Sequence, residues 1–543
     1  MKRLERTDFD VIVLGTGMAG TIISTILARH GHSILMLDYG THPRFAIGES
    51  TIPQTSQLVQ LLANQHDVPE LAVLGLKSPQ GIRENVATTS GIKRIFGFAY
   101  HNVGHEHDPK QALQFGNVWR DENHLFRQDI DAWLLTLALK YGCRVRQGVR
   151  VESVEIDDAG ARVATHDGAE YTAKFVIDGT GFRSVLAEKY GLREKPSSLR
   201  CHTRSIFTHI VDLKDFEDVA PTHMSHEWKL GTLHHMFKRG WFWVIPFNNW
   251  EGATNPLASV GVTVDERVYP EDPSLTPEQE FQKFLDMIPS AAKQFADAQA
   301  IRPWIRTKRI QYSSTRTVGK RFALLSHAAG FVDPMFSRGL ISTMENIREL
   351  ADALLPALAD DDFSEQRFEP VDAQQKFALD FADKMVNASY ISWDDFELWN
   401  LWVRVWAIGV HAAESSLGSV LFMGKYSKFE PVENPVFSRY EPPGFRKYFE
   451  DSYNAMIEYN EGKNSVKETR ARMLEVLEGY EFKIPLRSEC MGQEWAMKQP
   501  LCRDVFLGIK ENHARWMAQR CDAHLAVEDQ GSPTKPGRAE ATG

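Results

Sequence analysis

The feature that most restricts what this chain can become is a glycine loop set between two apolar runs near its start. Phe9 to Leu14 is a short apolar run suited to a buried parallel strand. Gly15-Thr-Gly-Met-Ala-Gly20 follows, a helical stretch runs from Thr21 to His30, and Ser33 to Leu37 reads as a second strand ending at Asp38. A strand, a GxGxxG turn, a helix and a second strand closing on an acidic residue make the dinucleotide fingerprint. Glycines let backbone N–H groups approach a pyrophosphate, whose charge sits at the positive end of the helix. Gly15, Gly17, Ala19 and Gly20 are therefore the candidate phosphate-side positions, and Asp38 is the acceptor for a ribose hydroxyl. The segment does not choose between NAD and FAD.

This unit predicts an α/β fold. More strand-like material stands at 148–154, 161–165 and 174–178, with a helix around 129–140. Residues 203–263 look β-rich, and Thr276-Pro-Glu-Gln279 reads as a capping box that opens a helix. Near residue 357 the strand signals give way to helical periodicity that runs to about 520. There Phe396, Trp399, Trp402 and Trp406 recur three and four apart, which predicts one core-facing aromatic stripe. We expect a dinucleotide module with a β-rich sheet over 1–356, a helical cap over 357–527 and a disordered tail over 528–543.

Composition serves mainly to exclude. The 62 basic and 72 acidic side chains leave a net charge of −10, the wrong sign for a general nucleic-acid binder. Cys143, Cys201, Cys490, Cys502 and Cys521 are scattered and form no CxxC pair, so neither a disulfide scaffold nor a metal site is expected. No run of about 18 apolar residues offers a membrane span. The charged N-terminus runs straight into the first strand without a signal peptide, so a cytoplasmic protein is expected.

Three further segments narrow the choice of cofactor. Arg44-Phe-Ala-Ile-Gly-Glu49, Leu125-Phe-Arg-Gln-Asp-Ile-Asp131 and Gly330-Phe-Val-Asp-Pro-Met-Phe-Ser-Arg-Gly339 follow the glycine loop in that order. The set resembles the FAD-dependent monooxygenases of the phenol-hydroxylase fold. Gly240-Trp-Phe-Trp-Val-Ile-Pro246 then matches the GWxWxIP signature of flavin-dependent halogenases, and Phe331 to Gly339 matches their FxxPxxSxG signature. The likeness spans most of residues 7–350 and is nearest to the phenol (phloroglucinol-type) halogenases. It extends to Trp243-Val-Ile-Pro-Phe-Asn-Asn249, Ser337-Arg-Gly-Leu340 and Leu398-Trp-Asn-Leu-Trp402.

The resemblance implies a Rossmann-like FAD module, a substrate-side sheet and a helical C-terminal domain. It implies that Arg44, Glu49, Arg127 and Asp333 join the glycine loop around FAD. Reduced FAD from a separate flavin reductase, with oxygen and chloride, bromide or iodide, would then make hypohalous acid. The acid would cross a tunnel to a lysine, which hydrogen-bonds it or becomes a haloamine, and an electron-rich phenolic ring would take the halogen. Gly91-Ile-Lys-Arg-Ile-Phe-Gly-Phe-Ala-Tyr-His101 matches the phenol halogenases' lysine segment and points to Lys93, with Lys77 as the second candidate. Trp241, Trp243, Pro246, Phe331, Pro334 and Ser337 would line the tunnel and screen the flavin, and halide would rest on the backbone of Arg338 and Gly339. A small aromatic substrate is implied, with no membrane or nucleic-acid partner, and a homodimer is allowed.

Two departures carry meaning. His327, in Leu325-Ser-His-Ala-Ala-Gly330, stands where many relatives have an aspartate on the ribityl chain, so a weakly held flavin is expected. Phe336 stands where tryptophan halogenases carry a glutamate, which argues against tryptophan as substrate. His101 and the pair His234-His235 read as structural. The alternatives are an aromatic hydroxylase, a halogenase of a carrier-bound or polyketide substrate, and a flavin-binding protein without turnover.

Overall fold

Apolar on both faces, Asp8–Leu14 takes the interior of a mostly parallel sheet. It pairs in parallel with Ile34–Leu37 on one side and Glu170–Asp178 on the other, placing Val13 beside Met36 and Ile177. Arg144–Arg146 and Phe322–Leu324 extend the parallel order outward. The helix Met18–Arg29 starts directly behind the first strand, as the glycine loop requires. The computed structural model describes residues 7–116, 120–224, 226–423 and 444–479.

A second sheet carries the β-rich segment. Thr203–Val211, Ala258–Asp265, Gly240–Pro246 and Gly231–Phe237 are successive antiparallel neighbours. Ile95–Tyr100 joins Gly231–Phe237 in parallel, and Ala112–Gly116 lies beyond it. Side chains alternate across a strand, so this sheet divides two cores. Leu233, Phe242, Val244, Val260 and Val262 pack under the helix Pro277–Asp286, which opens on the predicted Thr276/Gln279 capping box. Phe96, Phe98, Trp241, Trp243 and Ile245 join the opposite core, which they share with the C-terminal helices.

The change of character near 357 is a change of secondary structure and not a break in packing. Residue 356 falls inside the continuous helix Arg338–Asp360. Ile347 and Leu354 of that helix share one core cluster with Phe368 and Val403 of the helices Glu365–Ser392 and Phe396–Met423. Phe445–Asn460 and Val466–Gly479 complete the described helices. The expected tail 528–543 and Cys490, Cys502 and Cys521 lie outside the described residues; Cys143 and Cys201 are buried free thiols. Among the described residues no helix is long and apolar enough to cross a membrane.

The tryptophan stripe divides. Phe396 meets Tyr100, Trp399 meets Phe98, and Trp406 meets Phe96 and Phe115, all on the second sheet. Trp402 turns instead to the neighbouring helix, donating to Met385 O and Ser389 Oγ at 3.1 Å. A helix wedged between a sheet and another helix needs two apolar faces, which spacing alone merges into one.

Candidate active site

Lys93 ends the short strand Gly91–Lys93, which pairs antiparallel with Glu122–His124 so that Lys93 stands opposite Glu122. The other side of this strand is held by a side chain. Asn249 accepts from Ile92 N–H at 2.8 Å and donates to Ile92 O at 2.7 Å, completing the pairing a third strand would supply. A Cβ on Gly91 would lie 2.5 Å from Pro246 O, so glycine is what lets the strand come this close. Asn249→Ala removes both bonds and leaves two buried peptide groups unsatisfied. The expected cost is about 2–5 kcal/mol of stability, read by denaturant unfolding, with lost activity from a displaced Lys93.

Lys93 is fully buried. Its Nζ donates to Ser50 Oγ at 2.7 Å and stands 3.5 Å from the Phe96 ring centroid. Burial pushes this amine well below the ordinary 10.5, against the supporting charge of Glu122. Glu122 is itself buried; burial pushes its carboxyl up, while Arg120, Ser56 and Thr51 donate to it and favour its charge. Lys77, the second candidate, is exposed and outside this network.

Aromatic rings pack beside Lys93. Phe96 and Phe98 stack on His234 at 5.0 and 4.8 Å, and His234 meets Trp241 at 5.4 Å. Phe336 stacks on Trp406 at 4.8 Å and on Trp399 at 6.4 Å. His234, expected to be structural, packs among these rings with Nδ1 2.8 Å from Gly97 O. Its neighbour His235 points to the other face and bonds His101 at 2.9 Å, because successive strand residues alternate.

The same alternation sets where the residues of the expected screen lie. Trp241 and Trp243 lie side by side at 5.7 Å, and the second indole lies flat against Gly261, where a Cβ would be 2.2 Å from its ring. Gly261 carried no sequence signal of its own. Pro246 sits on the opposite face with Val244, and Pro334 is exposed, so neither stands with the indoles. Phe331 pairs with Tyr312 across a backbone bridge and packs on His327.

Trp241 is anchored from the helical region. Its Nε1–H donates to Tyr390 OH at 3.0 Å, and Tyr390 donates to Asp333 Oδ2 at 3.2 Å. Asp333 also accepts from Thr203 Oγ1 at 3.1 Å and from Met335 N–H at 3.0 Å. This buried carboxyl, expected at the cofactor, ties the Asp-Pro segment to the Trp241 indole through Tyr390. Burial raises it from 3.8 to about 7, against those donors. The folded state thus holds the Asp333 proton more tightly than the unfolded chain, and folding is penalised as pH rises from 3.8 through about 7. Asp333→Asn is expected to gain stability at pH 8, on the order of a few kcal/mol, and little at pH 4, in paired thermal melts.

Beyond Asp333 the chain makes a tight corner. Phe336 and Ser337 are both left-handed, at φ +66 and +54, an unusual state for a bulky ring. Arg338–Asp360 starts immediately after, with no side-chain cap on its first turn. The Arg338 side chain is buried over Phe381, so what the helix start offers an anion is backbone N–H. His327 Nε2 is buried without a hydrogen-bond partner and faces Gly339, whose added Cβ would lie 3.0 Å away.

The glycine loop fits a dinucleotide. Gly17 caps Met18–Arg29 with no side chain on its first N–H groups, and a Cβ there would meet nothing within 4 Å. Ala19 follows in the first turn. The charged residues are less free than the sequence suggests. Asp38 accepts from Thr16 N–H, Thr16 Oγ1, Gly40 N–H and both terminal nitrogens of Arg44. Arg127 is bidentate on Asp131 and donates to Ile47 O and Gly48 O. It pins the loop that leads to Glu49, whose Oε1 lies 3.4 Å from His209 Nε2. Buried charges need partners, and these residues find theirs within the protein. Ser50, directly after Glu49, was not predicted; its adjacency to that motif was the available signal.

Comparison with known proteins agrees with this arrangement. A family model described as tryptophan halogenase matches residues 105–402. Tetracycline 7-halogenase of Kitasatospora aureofaciens is 44% identical over 478 residues, covering 86% of each chain. Monodechloroaminopyrrolnitrin halogenase PrnC of Pseudomonas fluorescens is 40% identical over 495 residues, 88% of this chain and 86% of that one. Among solved structures, halogenase PltM in complex with phloroglucinol and FAD superposes with a TM-score of 0.84 at 36% identity, covering 89% of this chain and 97% of that one. The dinucleotide glycine loop, the indole-lined sheet and these matches agree, and the chain belongs to the flavin-dependent halogenase family.

Proposed function

We propose that this halogenase acts on a free, electron-rich hydroxylated ring and that Lys93 delivers the halogen. The observation that carries the proposal is a fully buried amine held 3.5 Å from the face of Phe96, beside a cluster of packed aromatic rings. Reduced FAD, when bound at the glycine loop, supplies hypohalous acid from oxygen and halide. Its reduction is assigned to a separate flavin reductase, since the sequence carries no second glycine loop for a nicotinamide cofactor.

The chain's own part follows from the geometry. Burial favours the neutral form of Nζ, whose lone pair takes the halogen as the oxygen–halogen bond breaks, and an amine proton leaves with the hydroxide as water. The ring carbon then takes the halogen, the nitrogen regains its electron pair, and the proton lost from the ring returns to the amine. Trp241 and Trp243 wall the path and keep water out. A phenol activates its own ring, which suits a site whose Phe336 stacks on indoles instead of presenting a carboxylate base. The phloroglucinol complex of a 36% identical structure supports the choice of a phenol.

The test is mass spectrometry of products from phloroglucinol or resorcinol, with flavin reductase, FAD and NADH, under chloride, bromide or iodide. A halide-dependent mass gain is expected. Oxygen addition indifferent to halide would establish a hydroxylase, and turnover of a polyketide ring alone would move the substrate assignment.

A further inference from the structure

A hydrogen-bond chain leads away from Lys93, and its direction is fixed at the far end. His124 Nδ1 lies 2.8 Å from Pro246 O. A carbonyl only accepts, so Nδ1 carries the ring proton. Burial holds His124 neutral, down to about 3, which leaves Nε2 as an acceptor. Its partner at 3.0 Å is Thr232 Oγ1, which must therefore donate. Thr232 Oγ1 lies 2.9 Å from Ser50 Oγ, so the Ser50 hydroxyl gives its proton to Thr232. Ser50 Oγ can then only accept from Lys93 Nζ, at 2.7 Å. All four side chains are buried.

We propose that Thr232 and His124 are positioning residues that turn Ser50 into an obligate acceptor, so that its hydroxyl cannot cap the Lys93 lone pair. A hydroxyl has one proton to give. While Thr232 takes it, Ser50 binds an amine N–H and orients Nζ. Without Thr232 the nearest base for that proton is the amine nitrogen itself, which would block the atom that must accept the halogen. The inference rests on the role given to Lys93 above. It also gives buried His124 a part at the lysine: its effect passes through the two hydroxyls of Thr232 and Ser50.

Thr232→Val keeps side-chain volume and breaks the chain. Ring halogenation is expected to lose about tenfold in kcat, the loss of one hydrogen bond's worth of transition-state stabilisation, with KM for phloroglucinol within about twofold. Hypohalous acid escaping to an added scavenger should rise in step. Ser50→Ala removes the misdirected proton along with the bond, so it should lose less than Thr232→Val, and Thr232→Ser should restore the wild-type rate. His124→Phe breaks the same chain from its far end and stands in should Thr232→Val fail to fold by thermal melt. A Thr232→Val or His124→Phe enzyme with wild-type kcat and no added escape overturns the proposal, as does Ser50→Ala losing more than either. Full ring halogenation by Lys93→Ala would instead overturn the role of the lysine.

Discussion

Lys93→Ala and Lys93→Met should abolish ring halogenation, lowering kcat by roughly 10²–10⁴-fold, the range for losing a positioned catalytic group. FAD binding, followed by flavin fluorescence, should be unchanged, because the glycine loop belongs to the first sheet and Lys93 to a separate two-stranded sheet. The methionine variant matters because alanine would leave a cavity beside Glu122. The rate should also carry the amine's signature. Lys93 is faced by Glu122 across the strand pair, with Arg120 behind that carboxylate, and by His124 and His234 from the second strand and second sheet. Glu122 favours the charged amine, so Glu122→Gln lowers the Lys93 pKa further. Activity requiring a neutral amine is lost as pH falls through that pKa, and the acid limb of kcat should therefore move to lower pH in the variant. A limb that stays in place would separate the lysine from the rate-limiting step.

The glycine loop gives the second large effect, in two substitutions with opposite signatures. A Cβ on Gly20 would stand 2.2 Å from Gly15 O, a backbone atom that cannot rotate aside. Gly20→Ala should separate the helix Met18–Arg29 from its strand and cost about 1–3 kcal/mol or more of stability, as forced overpacking does. At Gly17 a Cβ meets nothing within 4 Å. Gly17→Val should leave thermal stability in the absence of FAD close to wild type and remove FAD binding, because the side chain fills the space the pyrophosphate needs. Equal loss of stability in both variants would show that Gly17 serves packing alone.

The legible parts of this protein were those written over short stretches. The strand–loop–helix–strand unit spans residues 9–38, and its glycine spacing follows from local sterics. The Thr276 capping box is closed by a residue three positions away. The halogenase signatures are equally local, which is why the family could be named from them. Alternation also predicts that Trp241 and Trp243 share a face, although Pro246 was placed with them against the same period of two.

Partnership across the chain was decided by the tertiary structure. Ser50 reaches Lys93 over 43 positions, and Asn249 pairs with Ile92 over 157. No periodicity encodes such contacts, since they depend on which strands of two sheets come to lie together. The charged residues show the same limit. Asp38, Arg44, Arg127 and Asp333 were identifiable as polar positions in cofactor motifs, and the fold decides which protein groups they pair with. A buried charge must be paired, and the sequence by itself determined that requirement; only the fold decided which neighbour was close enough to meet it.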